Sequence, residues 1–163
     1  MGDLFIKEGL AAKIQRGCIF NDVKGNTPNE VLSELIGSLP LIPLLSFDTL
    51  LQAVLEREAL MPTGIGRGIA IPHPRNILLP PEGEQYVFIA YTENPIDWNA
   101  LDGIKADTLF LIISPSNKKH LEALTEINFL CRNEDFYLLL KERANMENLL
   151  AFIKEAEKQW RIS

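Results

Sequence analysis

The sequence is short of basic charge. Its 163 residues carry 16 Lys and Arg against 22 Asp and Glu, a formal net charge of −6. A general binder of nucleic acid or anionic membrane needs a basic face, so the balance argues against both, while leaving room for a small local basic site. Cysteine is scarce. Cys18 and Cys131 form neither a CxxC pair nor a metal-ligand spacing, and read as small buried hydrophobes in a reducing cytosol. Long apolar runs are missing too. The longest, Leu39–Leu45, contains Pro40 and Pro43 and is too short to span a bilayer. Asp3, Lys7, Glu8 and Lys13 interrupt the first fifteen residues, so no uncharged signal core is visible. The expectation is a cytoplasmic protein with no membrane insertion and no nucleic-acid partner.

What remains is ordinary globular composition, 47% hydrophobic and 23% charged, which excludes disorder and fibrous repeats. The length suits one domain over residues 1–163. Asp3–Gln15 is weakly helical, and Phe20–Asn26 reads as a short strand entering a Gly25-Asn26 turn. Thr27-Pro28-Asn29-Glu30 is a capping box with proline at the first helical position. It predicts a helix to about Leu39. Ser46 opens the next, where Phe47, Leu50, Leu51, Val54 and Leu55 form one apolar stripe as far as Leu60. Pro62–Pro81 reads as loop with one short strand, Gly68–Pro72. Tyr86–Thr92 and Asp107–Ile113 are apolar enough for strands buried on both faces. A shorter strand is expected at Ile96–Trp98, with a turn at Leu101–Gly103. Asn117–Arg132, Glu134–Arg143 and Met146–Trp160 have helical periodicity, with breaks at Asn133 and Asn145. The order predicts an α/β protein, a mixed β-sheet sandwiched by helices.

Two histidines stand out. His73 lies between Pro72 and Pro74, and a residue before proline is pushed out of the α region. It is therefore an extended imidazole at a strand exit, either pointing at solvent or serving a site. Gly64, Gly66 and Gly68 alternate just upstream. With apolar strand after them and no GK[ST], they match neither a dinucleotide fingerprint nor a P-loop. They form either a plain turn or an anion-binding nest. His120, at N3 of a helix capped by Asn117, shares the inward stripe of Ala123, Leu124 and Ile127. It is either a core-edge histidine or part of an anion site at a helix start. Arg57 borders the stripe of its helix, and Glu58 lies in line with Phe47, Leu51 and Val54 near the C-terminus, where an anion is disfavoured. Glu58 either frays into water or orients Arg57 or another polar group. Together these residues suit a phosphate-handling histidine site, because neutral imidazole is a nucleophile available near pH 7.

The string LEREALMPTGIGRGIAIPHPR (Leu55–Arg75) resembles the active-site segment of the enzyme IIA domains of the bacterial phosphoenolpyruvate-dependent phosphotransferase system, in the fructose/mannitol/nitrogen-regulatory class. Arg57, Glu58, Thr63, Gly64, Gly66, Gly68, Pro72 and His73 match its pattern, as does the later H-L-x-x-L of His120, Leu121 and Leu124. The resemblance runs from about Phe20 to Phe152 and leaves the first 18 residues unmatched. Pro74 stands where the family usually has a small residue, and Met61-Pro62 where a small polar residue often precedes the threonine. Arg67 and Arg75 add local positive charge.

The resemblance implies the enzyme IIA fold and a phosphoryl carrier without cofactor or metal. It implies that His73 accepts phosphate at Nε2 from the phosphocarrier HPr or its nitrogen-branch counterpart, with Arg57 and His120 lining the same site. Thr63, Gly64, Gly66, Gly68 and Glu58 would form its phosphate-binding loop. The short free-standing chain favours a nitrogen-type regulator acting on target proteins over a sugar-specific IIA that passes phosphate to a IIB cysteine. A non-transferring binding module is a third reading, disfavoured by the retained histidines and Arg57.

Overall fold

The computed structural model describes residues 8–162. Along the chain these form α1 (Leu10–Arg16), β1 (Ile19–Val23), α2 (Pro28–Gly37), α3 (Phe47–Leu60), β2 (Gly64–Gly66), β3 (Ile69–Ala70), β4 (Tyr86–Ile96), β5 (Ala106–Ile113), α4 (Asn117–Arg132), α5 (Glu134–Lys141) and α6 (Met146–Ile162). The strands make one mixed sheet in the order β1-β4-β5-β3-β2. β1 runs parallel to β4, and β3 parallel to β5; β4 and β5 are antiparallel, as are β2 and β3.

Side chains alternate across a strand, so β4 and β5 feed two cores. Val87, Ile89, Tyr91, Phe110 and Ile112 pack with α1, α4, α5 and α6. Phe88, Ala90, Leu109, Leu111 and Ile113 pack with α2 and α3 on the other face. This is the expected sheet between helical layers. No described helix is long and apolar enough to cross a membrane.

Several local signals act as expected. Thr27 Oγ1 accepts from the Glu30 N–H at 3.2 Å, while Glu30 Oε2 accepts from Asn26 N–H at 2.7 Å. Ser46, Asn133 and Asn145 each accept a backbone N–H at a helix start. Other expectations need correction. The cap of α4 is Ser116, whose Oγ accepts from Lys119 N–H, so His120 lies one place further into the helix. Tyr86–Ile96 is a single strand, because a register shift between Tyr91 and Ile96 lets the pairing with β5 resume. Phe47 is exposed and the buried residues of α3 are Leu50, Val54 and Glu58. Cys18 is half-buried, and only Cys131 is a core residue. The expected helix over Asp3–Gln15 lies partly outside the described residues.

Three chain segments converge at one edge of this framework. The parallel pair β3 and β5 end side by side, the first running on to Pro72 and His73, the second to Ser114 and the start of α4. The C-terminal turn of α3 closes the third side. Crevices beyond the carboxyl ends of parallel strands are where α/β sheets place ligands.

Candidate functional site

His73 is held by backbone bonds on both sides. Upstream, Ile71 N–H donates to Thr63 O at 3.0 Å, and Pro72 O accepts from Ile112 N–H at 3.1 Å. Downstream, Arg75 N–H donates to Ala53 O on α3 at 3.0 Å. Pro72 and Pro74 remove two backbone donors and keep the segment extended. The half-buried ring turns back on its own strand, with Nδ1 2.9 Å from Ile71 O. A carbonyl oxygen can only accept, so Nδ1 carries the hydrogen. In the neutral ring Nε2 then keeps its lone pair.

Burial lowers the His73 pKa below 6.5, and the Arg57 charge lowers it further; the Ile71 hydrogen bond and Glu58 act the other way without reversing it. His73 is therefore a neutral, Nδ1-protonated imidazole at pH 7. The ring of His120 lies against it, with centroids 4.5 Å apart and planes at 45°. Burial, then His73 and Arg57, push the His120 pKa down to about 4. The two rings and Arg57 line a cleft of about 120 Å³ with Arg75, Ser114 and Asn117, and no carboxylate lines it. Neutral imidazoles and two guanidiniums around a small cleft favour an anion.

The end of α3 shows why Glu58 belongs in line with the apolar stripe. The buried carboxylate closes the turn after the helix: Oε1 accepts from Thr63 N–H at 2.8 Å and Oε2 from Thr63 O–H at 2.6 Å. Arg57 Nη1 donates to Met61 O in the same turn at 2.7 Å. Glu58 thus orients Thr63 rather than Arg57. Since Thr63 O receives Ile71 N–H, the carboxylate braces the strand that carries His73 through one intervening residue.

The glycines have a structural job. β2 and β3 are joined by the two-residue turn Arg67-Gly68, with φ of 57° and 79°, the doubly left-handed geometry of a type I′ hairpin. Gly66, φ 92°, lies where a Cβ would meet Asp102 Oδ2 at 2.8 Å. That oxygen accepts from Arg67 N–H at 2.7 Å. None of Thr63, Gly64, Gly66 and Gly68 lines the cleft. Arg67 points elsewhere, over the Tyr137 ring at 3.8 Å and onto Glu134 at 2.8 Å. The structure therefore brings together Arg57, His73, His120 and Arg75, and sets the glycine hairpin behind them. Ser114 and Asn117 also line the cleft, though the sequence offers no motif that marks Ser114. Among the described residues no group of three or more His, Cys, Asp or Glu side chains gathers to hold a metal ion.

Comparison with known proteins shows the family and the fold. The family model for the phosphoenolpyruvate-dependent sugar phosphotransferase system, EIIA 2, matches residues 13–156. A nitrogen regulatory protein of Pseudomonas aeruginosa is 31% identical over 140 residues, covering 83% of this chain and 88% of the relative. A fructose-specific EIIA component of Haloferax volcanii is 32% identical over 113 residues, 66% of this chain and 71% of the relative. The nitrogen regulatory protein IIA-Ntr from Neisseria meningitidis has a similar fold, with a TM-score of 0.68 at 21% identity over 88% of this chain and 94% of that one.

Proposed function

The chain belongs to the EIIA 2 family of the phosphoenolpyruvate-dependent sugar phosphotransferase system, and on that premise we propose that it carries a phosphoryl group on Nε2 of His73. The observation that carries this reading is the Nδ1 contact with Ile71 O at 2.9 Å, which leaves Nε2 as the one ring nitrogen with a free lone pair. The donor is an HPr-type phosphocarrier bearing phosphohistidine. The His73 Nε2 lone pair forms the new N–P bond as the donor's N–P bond breaks, and the donor nitrogen leaves with that bond's electron pair. Arg57 stabilises the charge on the transferring oxygens, and His120 packs beside the nucleophile. Positioning and cations carry most of such a transfer.

The regulatory, nitrogen-type role is supported by the similarity to the Pseudomonas aeruginosa protein along most of both chains. In that role target proteins distinguish the phosphorylated from the free form, because a phosphohistidine adds close to two negative charges to the cleft. The similarity to a fructose-specific EIIA component favours a second reading, in which phosphate passes on to a IIB cysteine.

The test is labelling with phosphoenolpyruvate, enzyme I and an HPr-type carrier. One acid-labile, base-stable phosphate per chain is expected, absent in His73→Ala. Equal labelling of His73→Ala would sink the assignment. Chase with a IIB domain separates the two roles: discharge onto its cysteine supports sugar transport, and retention of label supports the regulator.

A further inference from the structure

We propose that Ser114 donates a hydrogen bond to the phosphoryl group on His73, with Gln85 holding it in place; this rests on the carrier reading above. Ser114 follows β5 and is 5% exposed. It lines the cleft with His73, Arg57 and His120. Ile112, whose N–H is bonded to Pro72 O, lies two residues earlier on the same face. The serine is thus set beside the segment that ends in His73.

The direction of its hydrogen bond follows from a neighbour. Gln85, wholly buried, sits across from Ser114 at the start of the β4–β5 pairing, where Tyr86 faces Ile113. One side-chain atom of Gln85 lies 2.7 Å from Ser114 Oγ and 3.0 Å from Lys119 O. A carbonyl accepts only, so that atom is the amide nitrogen, Nε2. Ser114 Oγ therefore accepts from Gln85, and its own hydrogen is left over. Among the described residues nothing accepts it. The same amide leaves Gln85 Oε1 buried without a partner. Native interiors rarely tolerate such an atom unless the arrangement serves something else. Here the amide spends both Nε2 hydrogens on the cleft-lining serine and on Lys119 O, next to His120 in the first turn of α4. An uncommitted hydroxyl hydrogen in a cleft that two arginines also line complements a phosphoryl oxygen. The ligand it fits is the dianion on His73 Nε2, not a second molecule.

The experiment compares wild type, Ser114→Ala and Ser114→Thr, each phosphorylated through the carrier and examined by transfer kinetics and ³¹P NMR. Ser114→Ala is expected to slow transfer by about tenfold or more, the scale of one hydrogen bond to a charged group, and to move the phosphohistidine resonance. Ser114→Thr keeps the hydroxyl and is expected to retain both. Wild-type kinetics and an unshifted resonance in Ser114→Ala would overturn the proposal while leaving the carrier reading intact. A wild type that takes no phosphate on His73 would overturn both. If Ser114→Ala does not fold, the wild type decides alone. On phosphorylation its Ser114 hydroxyl proton should become observable, protected from exchange and coupled to phosphorus. Its continued rapid exchange with water would count against the proposal.

Discussion

The imidazoles of His73 and His120 lie with centroids 4.5 Å apart, and both are kept from protonating at neutral pH. For His120 the folded pKa is about 4 against an ordinary 6.5. As pH falls from 7 the unfolded chain takes up this proton first. The contribution of the neutral ring to stability is complete above 6.5, is lost as pH falls through that value towards 4, and changes no further below it. Urea unfolding at several pH values should show wild type losing stability relative to His120→Gln across that window. A constant difference between the two proteins from pH 7 to 4 would place His120 in water.

Arg57 is the cation nearest both rings in electrostatic effect, lowering the pKa of each. Arg57→Ala should slow phosphoryl transfer about ten- to a hundredfold while circular dichroism stays unchanged. Arg57→Lys should recover only part of the loss, since an ammonium is a point charge without the planar fork. Undiminished transfer by a folded Arg57→Ala protein would show that the guanidinium serves only the Met61 carbonyl.

Thr63 gives the buried Glu58 carboxylate both of its hydrogen bonds. Thr63→Val keeps the shape and the backbone N–H but removes the hydroxyl. The cost should be about 1–3 kcal/mol in denaturant unfolding. Transfer should slow as well, because the same residue's carbonyl holds the Ile71 strand. Full stability in Thr63→Val would mean that Glu58 is solvated.

Gly68 separates a structural loop from a phosphate-binding one. Its φ is 79°, and an added Cβ would come within 2.5 Å of Lys141 Nζ and 3.3 Å of Lys105 O. Gly68→Ala should lose roughly 1–2 kcal/mol or more to left-handed strain and crowding. Phosphorylation of the folded fraction should be normal. Loss of phosphorylation without loss of stability would return the glycine loop to the site.

Much of this was legible along the chain. The caps at Thr27, Ser46, Asn133 and Asn145 are local chemistry, so they mark helix starts without reference to the fold. Pro72 and Pro74 set the extended geometry of His73 for the same reason. The apolar runs of β4 and β5 called for cover on both faces, and helices supply it. The glycines stayed ambiguous between turn and anion nest because spacing shows that a backbone is permissive but not what approaches it; the folded neighbours, Asp102 at Gly66 and Lys105 and Lys141 at Gly68, show that the hairpin packs against its own protein. Ser114 carried no signal, since one serine before a proline has no pattern.

The sequence by itself determined residue chemistry and local geometry: two imidazoles, a guanidinium at a stripe border, a carboxylate out of place on an apolar face. Tertiary structure decided which of these meet. The parallel alignment of β3 with β5 brings His73 beside Ser114 and the start of α4, and the Arg75–Ala53 hydrogen bond ties the middle of α3 to the segment after His73. It also decided protonation. A pKa depends on the burial and charge around a group, and the neighbours that lower His120 to about 4 come from His73 and Arg57, residues far from it in the chain and adjacent only in the folded molecule.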